Sequence, residues 1–203
     1  MSEEHLWMQE EEEKEEKEEK QGRRPDVTER LLKTRTILLS DQITKKVAEK
    51  VSSQLLLLEQ DDPEEPIRLL INSPGGDVDA GFAIYDMVNF ITAPVQCICA
   101  GLTASAAVVV LLAAAKEQRL SLPNSRVLIH QPSTGIRGTT ADIEIEANEI
   151  LKIMKKLNQL ISEETGQSIE KVERDTKRNY WMSAEEAIEY GLISRVITNR
   201  SEL

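Results

Sequence analysis

The chain has 203 residues, a formal net charge of −11 and 40% hydrophobic residues, which suits one ordinary domain with a substantial core. The excess of acidic residues argues against nucleic acid as a partner, because a protein needs a basic face to neutralise phosphates. The longest apolar stretch, residues 104–115, is shorter than the roughly 18 residues of a membrane span, and no signal-peptide pattern opens the chain. We expect a soluble, cytoplasmic protein that binds neither nucleic acid nor membrane.

Glutamate dominates the beginning of the chain. Residues 1–20 contain ten Glu and three Lys, and they offer few apolar side chains for burial. Segments of this composition do not bury enough surface to fold. We predict a disordered acidic tail and linker over residues 1–25 and a folded domain over residues 26–203.

Short apolar runs alternate with helical patterns through the rest of the chain. Strands are predicted at residues 36–39, 67–71, 95–99, 119–122, 126–130 and 193–197. Helices are predicted at residues 41–59, 78–90, 103–115, 139–164, 168–178 and 183–190. This alternation indicates an α/β layered domain.

Two of these helices carry clear start signals. Thr139 stands where it caps the long amphipathic helix, and Asp142 lies in that helix's positive first turn. Ser183 and Glu186 form a capping-box pattern, and Gly191 ends the helix that follows. The length of the helix at residues 139–164 indicates that it projects or packs on a partner.

The two cysteines, Cys97 and Cys99, alternate with apolar residues on a predicted strand and point to the same face. No neighbouring histidine or second cysteine pair completes a metal-binding set. We expect buried free thiols, because a disulfide between residues two apart on a strand has poor geometry.

Ser105 and His130 are a candidate nucleophile and base. Ser105 is predicted in the first turn of a helix, near free backbone N–H groups, and serine needs a neighbouring base to react at neutral pH. His130 ends a strand, and the other histidine, His5, lies in the acidic tail. Each residue alone also fits an ordinary role, as a helix-capping serine or a strand-end histidine.

A third element is the sequence INSPGGD at residues 71–77, a strand that runs into a Pro-Gly-Gly turn and a helix. Paired glycines let backbone amides approach a substrate closely, as an oxyanion hole requires. An ordinary strand-to-helix turn is the alternative. The pattern is neither a phosphate-binding loop nor a dinucleotide fingerprint, because the glycine spacing and the following residues differ.

Four motifs in order resemble the ClpP family, the proteolytic subunits of Clp proteases. They are INSPGG at 71–76, GLTAS at 101–105, LPNSRVLIHQP at 122–132, and ERDT at 173–176 followed by MSAE at 182–185. The resemblance covers roughly residues 30–198. It implies a ClpP/crotonase-like fold of repeated β-β-α units, with a projecting handle helix at about residues 139–164.

The resemblance also implies an assembly, partners and residue roles. Family members form two stacked heptamers around a chamber, into which an AAA+ unfoldase of the ClpX, ClpA or ClpC type feeds unfolded polypeptides. They need no cofactor or metal of their own. By position, Ser105 is the nucleophile, His130 the general base, and the amides of Gly76 and Ala106 the oxyanion hole. The segment that binds the substrate backbone corresponds to Gln131, Pro132, Ser133, Thr134 and Gly135.

The third triad position departs from the family, which usually has aspartate where this chain has Asn179. An amide oxygen holds the imidazole but supplies no negative charge. The leading prediction is a serine endopeptidase that acts through an acyl-enzyme at Ser105. One alternative is a weakly active or inactive regulatory subunit of a complex mixed with a second ClpP-type subunit, and another is an acyl-CoA enzyme of the crotonase group.

Overall fold

The structure is a computed structural model that describes residues 27–203. The predicted disorder of residues 1–25 therefore lies outside the described residues. The described residues divide into two units, with the boundary between Thr34 and Arg35. The described part of the first unit contains helix α1 (Val27–Leu32).

A sheet forms the centre of the second unit. Its strands are β1 (Thr36–Leu39), β2 (Ile67–Ser73), β3 (Val95–Ala104), β4 (Arg119–Ser121), β5 (Arg126–Ile129), β6 (Tyr180–Ser183) and β7 (Arg195–Val196). Strands β1, β2, β3, β4 and β7 are parallel neighbours in that order. Strand β5 pairs in parallel with the far end of β3, and β6 pairs antiparallel with β5.

Six α-helices belong to this unit as the structure describes it. They are α2 (Lys45–Asp61), α3 (Val78–Phe90), α4 (Ala106–Leu112), α5 (Thr140–Thr165), α6 (Ile169–Thr176) and α7 (Ala184–Tyr190). Every residue of α4 is buried, and the same holds for alternate apolar residues of β2. The alternating burial of β2 indicates that one face of the sheet is more deeply buried than the other, because successive side chains of a strand point to opposite faces.

Strand β3 pairs first with β4 and then with β5. This change of partner determines which strand ends lie beside each other at the site. Its first half pairs with β4, and its last residues, from Leu102 to Ala104, pair with β5. Between them Gly101 adopts a φ of +125°, and a Cβ there would lie 2.6 Å from the Asn72 side-chain oxygen. The Leu102 N–H donates to that oxygen at 2.9 Å, and this hydrogen bond holds β3 where its register with β2 is irregular.

The predicted α/β class is confirmed, and most predicted elements agree with the structure. Thr139 caps its helix as predicted and forms a capping box with Asp142, the predicted capping box at Ser183 is present, and Gly191 ends its helix in the left-handed conformation. The predicted helix at residues 103–115 begins too early, because residues 103 and 104 belong to β3. Strand pairing with β5 overrides the helical pattern of this apolar run. Strand β6 was not predicted.

Arg119 ties the end of α5 to the sheet. Its side chain is 2% exposed and donates to the carbonyls of Ala114 and Leu112, at 2.8 and 3.1 Å. It also contacts the Glu164 carboxylate and carbonyl. We expect Arg119→Met to lower the free energy of unfolding by roughly 3 kcal/mol, because buried acceptors lose their donors.

This change corresponds to a Tm lower by roughly 6–12 °C, measured by differential scanning fluorimetry. The control is Arg174→Met, since the Arg174 side chain is 70% exposed. Equal Tm values for the two variants would contradict this account of Arg119.

Both cysteines are buried free thiols, as predicted. Burial raises the pKa of Cys97 to about 12 and that of Cys99 to about 11. Because the thiolate is the reactive form, iodoacetamide at pH 8 should label neither cysteine in the folded protein and both after denaturation. Mass spectrometry would detect the adducts, and rapid labelling of the folded protein would contradict the prediction.

Candidate active site

Ser105 occupies a strained position between β3 and α4. Its φ of 56° and ψ of −123° lie outside the regions that ordinary residues prefer. Its N–H donates to the Leu128 carbonyl at 2.9 Å, and its hydroxyl does not cap the helix. The residue therefore precedes the first turn of α4 rather than lying in it, and its side chain is left available.

The Pro-Gly-Gly turn packs directly against Ser105. A Cβ on Gly75 would lie 2.4 Å from the Ala104 carbonyl oxygen and 2.7 Å from the Ser105 Cβ. Gly75 has a φ of +86° and Gly76 a φ of +149°. Only glycine combines this conformation with this approach of two backbones.

Hydrogen bonds to Ile43 hold the turn in place. The Ile43 N–H donates to the Gly75 carbonyl at 2.8 Å, and the Asp77 N–H donates to the Ile43 carbonyl at 2.9 Å. Within residues 27–203, the amides of Gly76 and Ala106 donate to no backbone carbonyl. Two backbone donors therefore remain available beside Ser105.

His130 follows β5 directly and meets Asn179 across the β5–β6 pair. The antiparallel register sets Ile129 opposite Tyr180, so the residues just beyond that pair are neighbours. The His130 Nδ1 lies 3.1 Å from the Asn179 Oδ1. Since an amide oxygen only accepts, the contact requires a proton on Nδ1 and leaves Nε2 as the acceptor of the neutral ring.

Asp175 lies close in sequence but does not take the place of Asn179. Its carboxylate accepts from the Lys171 ammonium at 2.9 Å and from the Tyr190 hydroxyl at 3.2 Å. Burial of the phenol, followed by its contact with the Asp175 carboxylate, raises the pKa of Tyr190. The Asp175 carboxylate is thus engaged away from His130.

Most of the candidate residues line two cavities that have His130 and Ser133 in common. A cleft of about 520 Å³ is lined by Gln42, Pro74, Gly75, Gly76, Val78, Ser105, His130, Pro132 and Ser133. Gln131 and Asn179 line an adjoining cavity with His130. Thr134 and Gly135 line none of these cavities and are exposed. Within the described chain, the Ser105 hydroxyl and the His130 ring share a cleft without a hydrogen bond between them.

A narrow apolar pocket beside Ser105 was not predicted. It is lined by Val78, Ser105, Ala106, Val108, Val109, Ile129, His130, Pro132, Leu157 and Ile161. The i, i+4 spacing of Leu157 and Ile161 marks an apolar face of the predicted long helix. The sequence contains no signal that directs this face toward Ser105.

The chain matches known proteins over most of its length. The profile of the family described as Clp protease matches residues 17–200. The chain belongs to the Clp protease family. It is accordingly a ClpP-type proteolytic subunit and a serine-type peptidase, as the sequence motifs predicted.

Individual relatives agree with this family. The chain is 51% identical over 175 residues to the ATP-dependent Clp protease proteolytic subunit 2 of Treponema denticola. It is 53% identical over 175 residues to the subunit of that name from Treponema pallidum. Each match covers 86% of this chain and 88% of the relative.

A solved structure shares the fold. It is ClpP1 from Listeria monocytogenes with an asparagine-to-aspartate substitution, and it has a TM-score of 0.80 at 46% identity, covering 86% of this chain and 98% of that one. ClpP homologues work as oligomeric proteolytic chambers with AAA+ partners. Among the described residues of this chain, no helix is long and apolar enough to cross a membrane.

The close packing of Gly75 against Ser105 leaves no room for a side chain at residue 75. In Gly75→Ala the new Cβ would displace the turn or the serine, and a shift of about 1 Å in a reacting group costs about 100-fold in rate. Peptide cleavage should fall by at least that factor.

The control is Gly166→Ala. Gly166 also has a positive φ, +75°, but no atom lies within 4 Å of a Cβ added there. It should lose about 1 kcal/mol of stability and keep its activity. Equal activity in the two variants would contradict the steric account.

Proposed function

We propose that this chain is a serine endopeptidase subunit of an ATP-dependent Clp protease, in which Ser105, His130 and Asn179 form the catalytic triad. The supporting observation is the convergence of Ser105, His130 and Gly76 on one cleft, with the imidazole held at Nδ1 by Asn179 at 3.1 Å. Substrate backbone binds along Gln131, Pro132, Ser133, Thr134 and Gly135, which continue from His130.

In the first step the Ser105 oxygen attacks the carbonyl carbon of a peptide bond, and His130 Nε2 takes the hydroxyl proton. The oxyanion accepts hydrogen bonds from the amides of Gly76 and Ala106. His130 then gives its proton to the leaving amine, which departs with the C-terminal part of the peptide. Water then attacks the ester on Ser105 while His130 Nε2 takes a proton from it, and His130 returns this proton to the Ser105 oxygen as the N-terminal part of the peptide leaves as a carboxylic acid.

Asn179 limits the rate of this sequence. Its amide oxygen orients the imidazole, but it provides no negative charge when the imidazolium forms. In a serine protease, replacing the triad aspartate with asparagine lowers turnover about 10⁴-fold, mainly through the wrong tautomer. The Asn179 oxygen favours the right tautomer, so the expected penalty here is smaller than that upper bound.

The assembly in this proposal is two stacked heptamers around a chamber in the cytoplasm, with unfolded polypeptides supplied by an AAA+ unfoldase of the ClpX, ClpA or ClpC type. In the isolated chain the Ser105 hydroxyl and His130 share a cleft without hydrogen bonding. Ring contacts that bring these two groups together would make activity depend on assembly.

Mixed rings with a second ClpP-type subunit are the second candidate. Here the chain is a weakly active or inactive regulatory subunit. The observation that favours this role is Asn179 at the position beside His130, together with the missing Ser105–His130 bond.

The proposal predicts that Asn179→Asp raises the steady-state cleavage of a short fluorogenic peptide. A carboxylate would stabilise the imidazolium, so kcat should increase by between about 10-fold and the 10⁴-fold upper bound. Ser105→Ala is the blank, and it should have no activity above buffer.

Two results would contradict separate parts of this proposal. Cleavage by Ser105→Ala at the wild-type rate would remove Ser105 from the mechanism. Strong wild-type turnover that Asn179→Asp leaves unchanged would mean that the amide already completes a competent triad, and the regulatory role would fail.

A further inference from the structure

A second cavity adjoins the candidate active site on the far side of His130. It has a volume of about 430 Å³ and is lined by His130, Gln131, Ser133, Lys177, Arg178 and Asn179. His130 and Ser133 also line the cleft over Ser105. The two cavities therefore border each other at His130 and Ser133, so a peptide in the cleft lies next to the second cavity.

The charge of this cavity is opposite to that of the whole chain. The chain carries 36 acidic and 25 basic residues, but the cavity lining contains two basic side chains and no carboxylate among the described residues. Lys177 and Arg178 are both exposed. Such a site favours an anion, and a planar carboxylate suits the fork of a guanidinium beside an ammonium.

Within residues 27–203, neither cation is paired with a carboxylate. No carboxylate in the described part of the chain pairs with Lys177 or Arg178. The nearest acid in sequence, Asp175, is bound by Lys171 and Arg174 instead. The two charges are thus free to meet a ligand.

The backbone that carries these cations is fixed to the substrate segment. The Gln131 N–H donates to the Thr176 carbonyl at 2.6 Å, and the Gln131 side-chain amide donates to the Lys177 carbonyl at 3.0 Å. These bonds use only main-chain atoms of Thr176 and Lys177. Replacing the Lys177 side chain therefore leaves them in place.

We infer that this cavity binds a carboxylate of the peptide substrate, which then supplies the negative charge that Asn179 lacks. This inference rests on the proposed function. The carboxylate comes from an acidic side chain or from the free C-terminus of the peptide. It lies beside His130 when the imidazolium forms, so acidic peptides are cleaved faster than their neutral counterparts.

The test uses internally quenched peptides and the full chain. A parent peptide with glutamine at the positions flanking the scissile bond is compared with peptides that carry glutamate at each of these positions in turn. Each peptide is made as a C-terminal acid and as a C-terminal amide, which separates the two sources of the carboxylate. At least one acidic peptide should show kcat/KM about 10-fold above its neutral counterpart at low salt, and the ratio should fall toward one in roughly 0.5 M NaCl.

Variants of the cavity lining test whether this cavity causes the preference for acidic peptides. Lys177→Gln and Arg178→Gln should each reduce the preference, and the double variant should abolish it. Arg174→Gln removes a cation from α6, just before the same turn but outside the cavity lining, and should leave the preference intact. Asn179→Asp should reverse the preference, because the site then holds its own negative charge.

Failure of the inference is distinguishable from failure of the proposed function. If wild type cleaves all peptides equally, or if the preference survives the double variant, the inference is wrong and the peptidase remains. If no peptide is cleaved above the Ser105→Ala blank, the proposed function fails. In that case the inference is tested by binding alone. Fluorescence anisotropy gives the Kd of the glutamate peptide and of the glutamine peptide for Ser105→Ala, and equal Kd values overturn the inference.

Discussion

The site depends on the backbone of Ser105, which is held at a positive φ where β3 passes into α4. Such a conformation costs about 1–3 kcal/mol for a residue with a side chain, so the surroundings must impose it. They do so from both sides, with the Ser105 N–H bonded to the Leu128 carbonyl and the Gly75 backbone packed against the Ser105 Cβ. The consequence is a hydroxyl that projects into the cleft instead of capping the helix.

The change of partner along β3 makes this arrangement possible. Because β3 leaves β4 at Gly101 and pairs with β5 afterwards, the strand that precedes His130 lies beside the strand that precedes Ser105. Strand β6 then pairs with β5 and brings Asn179 to the imidazole. Ser105, His130 and Asn179 are distant in sequence and come together because three strand ends lie side by side, and the hydrogen bond from the Leu102 N–H to the Asn72 side chain holds β3 at its irregular point.

Much of this could be predicted from the sequence, because the signals are local. The alternation of strand and helix patterns predicted the α/β class. The capping residues Thr139 and Ser183 predicted two helix starts that the structure confirms. The Pro-Gly-Gly turn and Ser105 were singled out by their chemistry. The start of α4 was predicted wrongly, since an apolar run of small and branched residues suits a strand end and a helix equally well.

The rest depends on contacts that no local pattern contains. Strand β6 is short, with an exposed tyrosine and tryptophan, and it exists because β5 offers an edge. The apolar pocket forms where Leu157 and Ile161 of α5 come to lie beside Ser105. The basic cavity needs Lys177 and Arg178 to reach His130 across the sheet edge, and sequence spacing alone gives no sign of that approach.

The most direct measurement of the central claim, that the fold activates Ser105 through His130, is labelling with a fluorophosphonate followed by mass spectrometry of the peptide that contains residue 105. The account predicts one adduct on Ser105, absent in Ser105→Ala and formed at least about 100-fold more slowly in His130→Ala. It would be contradicted if Ser105 stayed unlabelled in the wild type, or if the His130→Ala variant reacted at the wild-type rate.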